Sequence, residues 1–444
     1  MKKVLSLGLI SVMSLFFMVR PIFSKRIYIV VDNARLRQSL ISFPPFKNLD
    51  EDQGAQELGD QVGRIARDDF EFTGIFSFID PRDLSLWKKG GYELSDIDFK
   101  EWNSLGTEFL IAGGYRTSGD SLSLDVRLYD IRSAKMVFGK KYIAQNKDIR
   151  ALAHRLADAV VEELTGEKGI FQTKILFVSD KTKHKELYVM DYDGKNIQQL
   201  TFHKSIVFSP GWSPDGKKIT YSSYTTHEHN IKNLDLFMLD ITTGDQKVIS
   251  RKEGLNSGAS WSPNGKEIAL TMSYEGDPDI YIMNVDSGAV RKVTNHPALD
   301  VEPAWSADGQ KIIFSSGRAP LAHLYVMKKN GESVERLTFA GRFNSSPSWS
   351  PKNDKIVFAG DLGGYFDLFL INPNGTGLQR LTKSQNRENN EHPCWSADGR
   401  HSVFSSNRSG KYELYSINDD GSNERSLLKN YGNLTAPAWS PYLE

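Results

Sequence analysis

The sequence predicts an α/β N-terminal domain, a small mixed sheet with helices, followed by an all-β six-bladed propeller closed by the C-terminal strand. Three observations carry that reading. Six copies of one phrase divide the second half of the chain: Trp212-Ser-Pro-Asp-Gly, Trp261-Ser-Pro-Asn-Gly, Trp305-Ser-Ala-Asp-Gly, Trp349-Ser-Pro-Lys-Asn-Asp, Trp395-Ser-Ala-Asp-Gly and Trp439-Ser-Pro-Tyr, spaced by 49, 44, 44, 46 and 44 residues. A period of roughly 40 to 50 residues with turn residues at a fixed offset is the signature of a radial propeller, one four-stranded blade per repeat. Residues 25–168 carry no such repeat and mix helical with strand periodicity. Finally, the first set of later strands has no tryptophan strand before it, and the last tryptophan strand, 435–439, has no strands after it. Pairing these two orphans completes six blades and leaves no open sheet edge.

The elements follow in chain order. Lys2 and Lys3, a mostly apolar run over 4–19 and the small Ser24 read as an export signal over 1–24, since a run of 16 residues is shorter than the roughly 20 of a spanning helix. In the domain at 25–168, Leu58, Val62, Ile65 and Asp69 fall at helical spacing, and Ile149, Leu152, Leu156, Val160 and Leu164 form a second, longer amphipathic helix with Gly166 as its stop. Between them Leu122, Leu124, Val126 and Leu128 alternate with polar residues as a half-buried strand, and Phe109, Leu110 and Ile111 supply its hairpin partner. The expected result is a small mixed sheet covered by two helices.

In the propeller at 169–444, strands of the type Leu187-Tyr-Val-Met recur at Leu236, Ile280, Leu324, Leu368 and Leu414. Each leads into a hairpin with glycine at Gly194, Gly244, Gly288, Gly331, Gly375 or Gly421, where a positive φ costs glycine little.

Composition removes several function classes. Lys and Arg number 55 and so do Asp and Glu, which leaves no electrostatic basis for broad nucleic-acid binding. The one cysteine, Cys394, excludes an intramolecular disulfide and a lipid-bearing cysteine behind the signal. No Gly-x-Ser-x-Gly elbow and no phosphate-binding glycine loop occurs, because Gly113-Gly114 and Gly363-Gly364 lack the following Lys-Ser/Thr. His227-Glu228-His229 is the one suggestive ligand cluster, and no third ligand accompanies it, so neither metal nor cofactor is expected. The tryptophans are assigned to blade packing, and Asp215, Asn264, Asp308 and Asp398 to turns before glycine.

Several motifs, in this order, resemble the TolB family of the periplasmic Tol-Pal envelope system over nearly the whole chain. They are Arg26-Ile-Tyr-Ile-Val-Val-Asp32, Pro44-Pro45-Phe46, Leu105-Gly106, Leu164-Thr165-Gly166-Glu-Lys-Gly169, Asp191-Tyr-Asp-Gly194 and the closing Trp439-Ser-Pro-Tyr-Leu443. The resemblance implies a monomeric periplasmic adaptor without catalysis, whose propeller binds the lipoprotein Pal and whose N-terminal strand binds the inner-membrane protein TolA. It places Pal-type contacts at Asn256, Ser257, Gly258, Val301 and Glu302, with Leu255 standing where relatives can carry histidine.

Counting along the repeat, Asp300, Asn344, Ser345, Glu391, His392 and Thr435 border the same mouth, and His392 joins the candidate set. The TolA-type segment is Arg26, Ile27, Tyr28, Ile29, Val30, Val31 and Asp32, a β-rich run able to add to a partner's sheet edge. If it both docks in its own domain and detaches, binding at the propeller is coupled to its release. A competing expectation is a propeller enzyme or small-ligand sensor that uses the central channel.

Overall fold

The computed structural model describes residues 29, 38–50, 56–79, 87, 91–352, 354–385 and 387–443. The export signal lies outside them, and so do all residues of the 26–32 segment except Ile29.

The N-terminal domain is built on a mixed sheet. Strands β1 (Ser39–Ser42), β2 (Lys47–Asn48), β3 (Phe76–Phe78), β4 (Phe109–Ser118), β5 (Ser121–Asp130) and β6 (Lys135–Gln145) pair in the order β3-β1-β4-β5-β6, with β2 also on β4. The alternation read over 122–128 falls on β5, where Leu122, Leu124, Val126 and Leu128 are fully buried. They pack under helices α1 (Gln56–Thr73) and α3 (Ile149–Thr165), whose apolar stripes include Val62, Ala66, Phe70, Leu152, Leu156 and Val160. Gly166 ends α3 in the left-handed region at φ 77°, its N–H bonded to the Glu162 carbonyl at 2.9 Å.

The two-helix expectation is incomplete. The sheet's other face carries its own cluster, in which Leu110, Ala112, Tyr129 and Ile131 meet Trp87 and Trp102, the latter on a short helix α2 (Phe99–Ser104). This helix is capped by Asp98, whose carboxylate accepts from the Lys100 and Glu101 amides.

Among the described residues, six four-stranded sheets follow. Their first strands are Val207–Trp212, Asn256–Trp261, Asp300–Trp305, Phe343–Trp349, Asn390–Trp395 and Leu434–Trp439. The last pairs antiparallel with Lys174–Ser179, Leu434 opposite Ser179 and Trp439 opposite Ile175, so the composite blade forms as its two halves require. Ser440 extends the seam: its N–H donates to the Lys174 carbonyl at 2.8 Å, and its hydroxyl accepts from the Lys174 N–H at 3.0 Å.

The repeated tryptophan joins blade to blade. The indoles of Trp212, Trp305 and Trp395 donate to the carbonyls of Ala438, Ser260 and Ser348, each at 3.1 Å and each on the preceding blade's first strand. A second repeated device escaped the sequence reading. Thr201, Thr294, Thr338 and Thr382 each accept, through the hydroxyl, the amide of the third strand of their blade, at 2.9 to 3.0 Å. In three of these blades the threonine hydroxyl in turn donates to a buried acid: Glu186, Asp279 or Asp367. The outermost strand is thereby tied to its neighbour.

The two domains share one continuous apolar core running through Phe72, Ile75, Leu164, Phe171, Tyr192 and Trp439. Phe72 packs edge-on to Tyr192 at 5.0 Å between ring centres. Around it, Asn423 donates to the Phe72 carbonyl at 3.0 Å, and Arg425, stacked over the Phe72 ring, donates to the Glu71 carbonyl. Glu167 pairs with Lys352 and Arg400. These propeller residues sit in turns after first or third strands, with Arg425 at the start of the strand that follows its turn. The described residues of the domain therefore cover one face of the ring, and none of them lies on the opposite, free face.

Candidate interaction surface

The free face is formed by the loops before first strands and between second and third strands. Each first strand enters it through the same distortion. The pairing skips a residue at Phe208/Gly211, Ser257/Ser260, Val301/Ala304, Ser345/Ser348, Glu391/Cys394 and Thr435/Ala438, a β-bulge in every blade. At each bulge one residue is left-handed: Ser209 (φ 44°), Gly258 (64°), Glu302 (56°), Ser346 (50°), His392 (53°) and Ala436 (49°). For a non-glycine residue that conformation costs about 1–2 kcal/mol. Proline follows it in five of the six blades, at Pro210, Pro303, Pro347, Pro393 and Pro437. In sequence this signal is a recurring X-Pro-x-Trp, present in five of the six blades.

The bulges turn these residues toward the axis, where they line a central funnel of about 590 Å³. Gly258, Glu302 and His392 of the candidate set are brought together there, among small or apolar neighbours such as Ala259, Pro303, Ala304, Pro393 and Ala438. His392 Nδ1 is buried and has no hydrogen-bond partner among the described residues.

Glu302 is engaged internally. Its carboxylate accepts from the Ser346 N–H at 2.7 Å on the next blade and from the Ser315 hydroxyl at 3.1 Å within its own. It is a strut between blades at the same time as it borders the funnel.

The remaining candidates divide by exposure. Ser257 and Val301 are half-buried at the funnel's rim, paired with Thr271 and Ser315. Asn256 is fully buried, which changes its expected role. Its side chain donates to the carbonyls of Leu234 and Lys252 and accepts from the Ser250 hydroxyl, so it holds the loop and presents no side chain to a partner. Asp300, Asn344 and Asn390 occupy the same buried position in their blades. Asp300 pairs with Arg318, and Asn344 donates to the Ala340 carbonyl.

Residues that sequence reasoning passed over dominate the free face. Phe202 and Phe339 are 71% and 72% exposed, and Ile206, Tyr224, Ile231, Leu299, Leu321, Phe343 and Leu362 are also exposed there. Such a concentration of large apolar side chains on one face is characteristic of a surface that meets another protein.

In the N-terminal segment, Ile29 is buried and donates its N–H to the Leu164 carbonyl at 2.9 Å, at the last turn of α3. Arg26, Ile27, Tyr28, Val30, Val31 and Asp32 lie outside the described residues.

His227 Nε2 sits 2.8 Å from the buried Asp235 carboxylate, and among the described residues no group of three or more His, Cys, Asp or Glu side chains is assembled for a metal. Among them, too, no helix is long and apolar enough to cross a membrane.

Fold and surface define a class: a closed six-bladed propeller with an α/β domain fixed to one face, a central channel lined by its first strands, and exposed apolar side chains on the other face. Residues 161–443 match the TolB beta propeller domain, and residues 27–137 match the TolB amino-terminal domain. The chain belongs to the TolB family.

Among similar proteins, the Tol-Pal system protein TolB of Desulfosudis oleivorans is 35% identical over 259 residues, 58% of either chain. The protein TolB homolog of Chlorobium chlorochromatii is 37% identical over 222 residues, 50% of this chain and 49% of that one. This chain thus spans about half the length of the curated relatives it matches. The crystal structure of TolB from Acinetobacter baumannii superimposes with a TM-score of 0.77 at 26% identity, covering 91% of this chain and 97% of that one.

Proposed function

We propose that this chain is a periplasmic component of a Tol-Pal system, an adaptor without catalytic activity. Its propeller funnel and rim bind a Pal-like outer-membrane lipoprotein, and its N-terminal strand binds a TolA-like inner-membrane protein. Through these contacts it supports outer-membrane integrity and invagination during cell division. The observation that carries the reading is the free face itself: exposed aromatic and aliphatic side chains gathered on the side away from the fixed domain, around the first-strand bulges that line the central channel. Small apolar walls and a Glu302 carboxylate already occupied by Ser346 and Ser315 suit a docked protein segment better than acid–base chemistry.

The N-terminal part of the proposal is supported by Ile29, whose N–H bond to the Leu164 carbonyl sets that residue against the domain that touches the propeller. Deleting residues 25–33 is expected to abolish capture of the periplasmic end of a TolA-like protein while the propeller keeps its thermal transition. Retained capture would remove that half of the proposal.

A further inference from the structure

Away from the funnel, the free face holds a second concavity. A cleft of about 690 Å³ opens between the composite blade and the blade that begins at Val207. Its walls carry Lys183, Lys185, Lys204 and Lys232, together with His184, all exposed. Among the described residues, lysine ion pairs are made by Lys174, Lys292, Lys328, Lys352 and Lys355, and by none of these four. One carboxylate, Asp180, also stands in the wall; it accepts the backbone and side-chain N–H of Asn433, at 2.7 Å each, and attracts Lys185. Four ammonium groups against this one carboxylate leave a net positive local field.

The backbone narrows what can fill it. Lys185 N–H donates to the Ser205 carbonyl, Val207 N–H to the Lys185 carbonyl and Tyr224 N–H to the Ile206 carbonyl. These main-chain groups are therefore paired across the cleft and offer no strand edge to an extended peptide. Recognition falls to side-chain donors above a floor that includes Ile206 and Tyr224. The walls meet an anion through lysine ammonium groups, which act as point charges in the manner of a phosphate-binding lysine, and several of them around one cavity suit a multiply charged anion. The volume lies within the range of small-ligand sites.

We infer that this cleft binds a multiply charged, phosphate-bearing ligand. A soluble oligophosphate or phosphosugar and a phospholipid headgroup present the same chemistry, and the experiment separates them. The site shares Ile206 and Tyr224 with the apolar side chains of the free face, while its charged walls do not depend on the adaptor reading.

The test is calorimetric titration of the full chain with inorganic pyrophosphate at low ionic strength, beside co-sedimentation with phosphatidylglycerol/phosphatidylcholine vesicles and with phosphatidylcholine alone. Lys183→Gln/Lys185→Gln/Lys204→Gln/Lys232→Gln is expected to weaken binding by about tenfold or more, because the field is the sum of its charges. A control with Lys195→Gln/Lys217→Gln/Lys266→Gln/Lys329→Gln, on the opposite face, is expected to bind like the parent. Melting temperatures of all three proteins report that each is folded. Pyrophosphate binding assigns a soluble source, and binding only to the anionic vesicles assigns a headgroup; either supports the site. Equal losses in cleft and control variants, no binding of either probe, or tighter binding of polyglutamate than of pyrophosphate at the cleft would overturn it.

Discussion

The indole N–H of Trp212 donates to the carbonyl of Ala438, 226 positions along the chain and 3.1 Å away. The first complete blade is thus bonded to the strand that closes the ring, and the ring's integrity depends on residues at its far end. Removal of 434–444 takes away the Leu434–Trp439 strand, leaves Lys174–Ser179 with an unpaired edge and opens the core at Trp439. The expected outcome is loss of the cooperative thermal transition seen in the parent, with aggregation, checked by calorimetry and light scattering. A truncated chain that melts at the parent's temperature would refute the closure.

Glu302 links two blades, so its replacement is expected to act on the fold before it acts on any partner. Glu302→Ala strands the Ser346 amide and is expected to cost about 1–3 kcal/mol by denaturant unfolding. Glu302→Gln keeps an acceptor there and is expected to cost less. A partner-binding loss confined to Glu302→Ala therefore reports the strut and not a contact.

At the domain boundary, Asp69 on α1 lies 2.8 Å from His154 Nδ1 on α3 and accepts the Tyr192 hydroxyl of the composite blade. All three are buried. Burial raises the Asp69 carboxyl above its usual range, with the bonds from His154 and Tyr192 opposing that rise. Tyr192→Phe removes the bond that crosses between domains and is expected to destabilise the protein by about 1–3 kcal/mol. Faster proteolysis in the 166–173 linker should accompany it, because the two domains lose a shared anchor.

Asp158 supplies a pH signature. Burial pushes its carboxyl up to about 6, against the bonds it accepts from the Gln172 side chain and the Phe171 amide. Between the usual 3.8 and about 6 the folded protein holds a proton that the unfolded chain releases, so this group's contribution to stability falls as pH rises through that window. The loss above it is at most about 3 kcal/mol. Asp158→Asn is expected to be more stable than the parent at pH 7.5 and similar to it at pH 4, by chemical denaturation at both values. Parallel curves at the two pH values would contradict the assignment.

The fold was legible where a residue's role is local. Tryptophan at a fixed offset, glycine after the third strand and the Leu164-Thr165-Gly166 stop each report on a few neighbouring positions, and each falls where the reading put it. Legibility failed where the role is set by distant chain. Strand β6 is mostly exposed and has no clean alternation, so it reads as polar loop until its pairing with β5 is seen. Asp69 meets residues 85 and 123 positions away, which no window of sequence shows. At the surface, the family resemblance pointed to Asn256, yet burial makes that side chain a strut, while Leu299 and Phe343, unremarkable in sequence, are exposed on the free face.

The most direct test of the adaptor account is the equilibrium affinity of the purified Pal-like lipoprotein for the parent and for a Leu299→Asp/Phe343→Asp variant. Both side chains are exposed on the free face, Leu299 by 45% and Phe343, whose ring packs edge-on to Phe366, by 39%, and neither belongs to the described core clusters. The account predicts a loss of at least about tenfold, or about 1.4 kcal/mol, with an unchanged melting temperature. Undiminished affinity in this variant, together with loss of binding when the N-terminal domain alone is altered, would contradict it.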